Sequence, residues 1–150
     1  MRGTSVAMSA TFLLILLGAS FAAHAEDGYD LWLRYRSVES GPVATAIESY
    51  RARATQIVVA APSSPTLEVA RRELLLGLSG LLDRDVPQTR EMTANGALLL
   101  GTPASSPSIA ALKLDLSAAG REGYVIRSVS VGRRAATVIA GNEDVGVLYG

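Results

Sequence analysis

Three pairs of closely spaced carboxylates are the side chains best placed for chemistry: Asp27 with Asp30, Asp83 with Asp85, and Glu143 with Asp144. Metal-free glycoside hydrolysis uses two carboxyl groups about 5 to 10 Å apart, one as acid and one as base or nucleophile. Each pair also has a plainer role: a chain terminus, a turn after a helix, and compensation of a helix dipole. Residues 101–106 (GTPASS) could hold an anion on backbone amides. They lack the Gly-Lys-Ser/Thr ending of a phosphate loop and the spacing of a dinucleotide fingerprint, so a connecting loop with a serine cap fits better. Arg34 with Arg36, and Arg127 with Arg133 and Arg134, are basic patches able to take a carboxylated ligand bidentately or to guard strand edges. Tyr124 and Tyr149 suit core or interface positions better than nucleophilic ones. No residue is assigned a catalytic role.

Composition explains why this inventory is short. The 150 residues include no cysteine, one histidine (His24) and one lysine (Lys113). That removes disulfide scaffolds, thiolate metal sites, cysteine nucleophiles and a lipoprotein anchor. Basic and acidic residues number 14 each, so nothing draws the chain to nucleic acid. Aromatic residues, at 5%, are too sparse for a broad sugar-stacking platform.

Residues 1–25 read as a secretory signal peptide. Arg2 gives the basic start, residues 11–19 (TFLLILLGA) the apolar run, and Ala23-His24-Ala25 the cleavage pattern. A membrane anchor is the competing reading, but the leucine-rich run is short and Gly18, Ser20 and His24 dilute what surrounds it. The expected location is therefore secreted, periplasmic or extracellular, with no membrane attachment after cleavage. Residues 26–150 lose Arg2 and His24, leaving 13 basic against 14 acidic side chains. A domain without His or Cys carries no Ser-His-Asp triad and no imidazole zinc site, so no metal and no cofactor are expected.

The elements that must position these side chains follow from periodicity. Residues 31–35 alternate as a half-buried strand, and residues 55–61 (TQIVVAA) form a β-branched strand stopped by Pro62. Between them, Gly41-Pro42 marks a turn, and the segment to Arg53 is compatible with a short helix. Ser63-Ser64-Pro65 with Glu68 opens an amphipathic helix whose apolar positions are Leu67, Ala70, Leu74, Leu78, Leu81 and Leu82. Gly77 and Gly80 inside it each cost about 1 kcal/mol against alanine, which points to close approach of a neighbour. Residues 97–100 form a buried strand, Ser106-Pro107 starts a second helix, and residues 124–131 and 135–140 form a hairpin across Gly132-Arg133-Arg134. Asn142 is expected to cap a last helix, with Glu143 and Asp144 in its first turn. Together these predict an α+β domain: a mixed β-sheet with helices packed on it, and no barrel. The last helix opens only a few residues before Gly150, so the sequence is expected to be the front of a longer polypeptide.

Five ordered blocks carry a resemblance. EDGYDLWLRY (26–35), GLSGLLDRDVP (77–87), LLLGTPASSP (98–107), EGYVIRSV (122–129) and AGNEDVGVLYG (140–150) resemble, in order and spacing, the opening of bacterial α-glucuronidases of glycoside hydrolase family 67. The resemblance implies that residues 26–150 are an N-terminal α+β domain of the kind found as the second domain of hexosaminidases, followed by a catalytic (β/α)8 barrel and a helical region. Such enzymes remove 4-O-methylglucuronic acid from xylo-oligosaccharides, with inversion and without a cofactor, in the breakdown of xylan. Their catalytic carboxylates lie in the barrel, so none is carried onto this sequence. The implied partners are that barrel and, for the whole enzyme, oligosaccharides from glucuronoxylan. Two alternatives stand beside this: the N-terminal domain of a β-N-acetylhexosaminidase-type hydrolase, and a free-standing secreted carbohydrate-binding or scaffold domain.

Overall fold

Ser64 shows how directly the sequence writes its structure. In the computed structural model, which describes Tyr35, residues 46–60 and residues 64–150, its hydroxyl accepts the Leu67 amide at 3.1 Å. Pro65, whose missing N–H costs nothing at this position, begins α2 (Pro65–Leu82). The helix ends at Asp83, whose left-handed backbone (φ 48°) lets its amide reach the Ser79 carbonyl. Arg51, from the short helix α1 (Ile47–Arg53), donates Nε and Nη2 to the Leu82 carbonyl at 2.9 and 2.7 Å, closing the helix end with a cation. Of the strand expected over residues 31–35 only Tyr35 is described, and it is not in a strand; residues 31–34 and the turn at Gly41-Pro42 lie outside the described residues.

Removing the Ser64 hydroxyl leaves the Leu67 amide without that acceptor. Ser64→Ala is expected to lower stability by about 1 kcal/mol, and Ser64→Asp to keep most of it. Equal urea midpoints for the alanine variant and the parent would contradict this.

Five strands form one sheet in the order β2-β1-β3-β5-β4: β1 (Gln56–Val59), β2 (Gln88–Thr89), β3 (Ala97–Gly101), β4 (Tyr124–Val131) and β5 (Arg134–Gly141). The pairs β1/β2, β1/β3 and β3/β5 are parallel, and β4 runs antiparallel to β5 at the edge. The expected mixed-sheet α+β architecture is the one observed, and the described residues form no closed barrel. The strand sequences follow from this arrangement. IVV in β1 and ALLLG in β3 are continuous runs because helices or loops cover both faces.

One face carries Ile57, Val59, Leu98, Leu100 and Ile139 against Leu67, Ala70 and Leu82 of α2 and Val147 of α4 (Asp144–Tyr149). The other carries Val58, Leu99, Ala136, Val138 and Ala140 against Ile109 of α3 (Pro107–Ala111). Ser106 caps α3 as its sequence announces, through a 3.4 Å bond from the Ile109 amide. A two-residue turn, Gly132-Arg133, joins β4 to β5. Gly132 sits at φ 62°, which suits glycine at the first position of a type II′ hairpin turn.

Two features differ from expectation. Strand β2 is not legible in its own two residues, and Gln56 explains how it is held. This buried side chain, oriented to satisfy both its ends, donates to the Thr89 and Thr93 hydroxyls and accepts from the Thr93 and Ala94 amides. Asn142 is not the cap of the last helix. Glu143 occupies the cap position without a side-chain bond to the helix amides, while the Asn142 amide donates to the carbonyls of Leu116 (2.9 Å) and Gly120 (2.7 Å). That tie fixes the loop entering β4, a long-range use of asparagine in place of the local one.

Candidate functional site

The parallel strands β1, β3 and β5 end on the same side of the sheet, where open α/β sheets usually bind ligands. Two sequence candidates meet there. Thr102, just after β3, and residues 142–145, just after β5, line a polar crevice with Thr66 of α2, about 390 Å³ in volume.

Three of its polar residues, Thr102, Asn142 and Glu143, are bonded to groups outside the crevice. The Thr102 amide donates to Ser105 Oγ at 2.9 Å and the Ser105 amide to Thr102 Oγ1 at 3.1 Å. The amides of residues 102 and 105 therefore face their own loop, not an anion. Glu143 accepts from Arg121 Nε at 2.7 Å and Nη2 at 3.1 Å, a bidentate surface pair. The Arg121 guanidinium holds the Glu143 carboxyl below its usual range, the opposite of what a general acid requires. Asp115 is also held low, by the Ser117 hydroxyl and amide.

Both carboxyls are lower in the folded chain than in the unfolded one. Their contribution is present above the unfolded value and is lost as pH falls through the folded one. Arg121→Ala should raise the Glu143 midpoint in a carboxyl NMR titration and soften the acid limb of stability slightly, since the pair is exposed and screened. A Glu143 midpoint unmoved by the substitution would refute the assignment.

The other sequence candidates do not converge. Asp27, Asp30, Arg34 and Arg36 lie outside the described residues. Asp83 and Asp85 are exposed in the turn after α2. Arg127 and Arg134 share a face of the hairpin, but the partner of Arg134 is Val131, four residues along from Arg127 and so about 13 Å away. Lys113 is exposed. Among the described residues no group of His, Cys, Asp or Glu could hold a metal ion, and no helix is long and apolar enough to cross a membrane.

A second concavity lies on the α2 side of the sheet. Between α2 and α4 runs a groove of about 320 Å³, floored by Leu100 and Ile139 and walled by Gly77, Leu81 and Tyr149. Gly77 and Gly80 let Tyr35 lie against α2; a methyl group on Gly80 would come within 2.7 Å of Tyr35 Cβ. The close neighbour that the two glycines announced is therefore Tyr35. Tyr149 (57% exposed) and Leu81 (39%) line the groove, and Ile126 (53%) and Tyr124 (45%) of β4 also face solvent. Tyr124 and Ile126 share the sheet face of Ile139 (Ile126 pairs with it directly), and Gly150 packs between Ile139 and Tyr124. The readable signal was β4 itself, whose apolar residues fall on both faces, at 124 and 126 as well as 125, 129 and 131.

A mixed five-stranded sheet with helices packed on it, its described ionisable groups dispersed or paired at the surface, defines an α+β domain. The family model for the glycosyl hydrolase family 67 N-terminus matches residues 31–150, and the chain belongs to that family. Of the two hydrolase assignments open at the sequence level, this favours the family 67 domain over the hexosaminidase type. No curated protein matches the chain. As an N-terminal domain of this family it has a catalytic domain as its partner in the full enzyme.

Proposed function

We propose that this chain supplies the leading, non-catalytic domain of a secreted α-glucuronidase that removes 4-O-methylglucuronic acid from xylo-oligosaccharides. The domain's work is to seat against the enzyme's catalytic domain through the face formed by α2, α4 and β4. The family match over residues 31–150 carries the reading. The chemistry supports it: the Glu143 carboxylate is held ionised by Arg121, and Asp83 and Asp85 stand exposed in a turn. Secretion rests on the basic start, apolar run and Ala23-His24-Ala25 of residues 1–25.

Activity of the purified 150-residue chain on aldouronic acids tests the first part. No release of methylglucuronic acid above buffer is expected from the chain by itself. Measurable turnover, reduced by Glu143→Gln or Asp144→Asn, would overturn the non-catalytic assignment. Sequencing the N-terminus of the exported protein tests secretion, with Glu26 expected as the first residue.

A further inference from the structure

We draw no further inference here: the strongest candidate outside the proposed docking face, the polar crevice at the carboxyl ends of β3 and β5 between Thr66, Thr102 and Asp144, rests on helix N-termini and an acidic pair, its buried Thr102 is already bonded to Ser105, and nothing in it points to a ligand.

Discussion

Leu99→Ala is expected to cost this domain about 2–5 kcal/mol, a large part of the roughly 5–15 kcal/mol that holds a domain folded. Leu99 lies in the middle of β3, the central strand, and is 1% exposed. Its neighbours across the sheet are Val58 on one side and Val138 on the other, and the same cluster takes in Ile109 from α3. Truncation removes three carbon atoms from a site walled by two strands and a helix. Strands held by pairing on both sides cannot close over the space, so the cavity term adds to the lost transfer energy. Leu76→Ala is the matched control. Leu76 is on α2 but 46% exposed, and its truncation should stay within about 0.5 kcal/mol of the parent. Urea unfolding of both variants reads the difference directly. Similar midpoints for the two would mean that the α3 side of the sheet is not the core described here.

Leu99 also marks what the sequence shows easily. A strand buried on both faces is a short continuous apolar run, and residues 97–100 are such a run. Helix starts are nearly as legible, because a serine followed by proline solves a local problem with local atoms: Ser64 and Ser106 both cap where they announce it. What stays hidden depends on partners distant in sequence. Strand β2 has only Gln88 and Thr89, and it exists because Ile57 and Val58 offer a parallel edge and Gln56 reaches Thr89. Asn142 reads as a cap because capping is what asparagine does locally; its amide goes instead to Leu116 and Gly120, 26 and 22 residues earlier. Glu143 reads as a dipole residue and is also the partner of Arg121, a contact that no helical spacing predicts. The same limit applied to the two concavities. Thr102 and Asn142 are named in the sequence, but only the parallel pairing of β3 with β5 brings their ends together.

The contact face is where the second large effect is expected. Exposed apolar surface costs about 25 cal/mol per Å² relative to burial, so a soluble domain gathers it where something covers it. Here Tyr149 and Leu81 line one groove and Tyr124 and Ile126 lie on the same sheet face as its Ile139 floor, all four between 39% and 57% exposed. Two of the four are aliphatic, which suits a protein surface better than the flat ring platform that sugars stack upon. Aromatic residues at the centre of an interface commonly contribute 2 kcal/mol or more. Paired substitution Tyr149→Asp with Ile126→Asp should therefore weaken association of this chain with a purified family 67 catalytic region by roughly 30-fold or more. Arg133→Asp, at the exposed hairpin turn, should leave association unchanged. Calorimetric titration separates the outcomes. If the parent binds and the paired variant binds equally well, another face makes the contact and the family assignment is untouched. If the parent itself shows no association, the seating role fails. If instead xylo-oligosaccharides bind the parent and not the variant, Tyr149 and Ile126 serve sugar, and the face belongs to substrate capture.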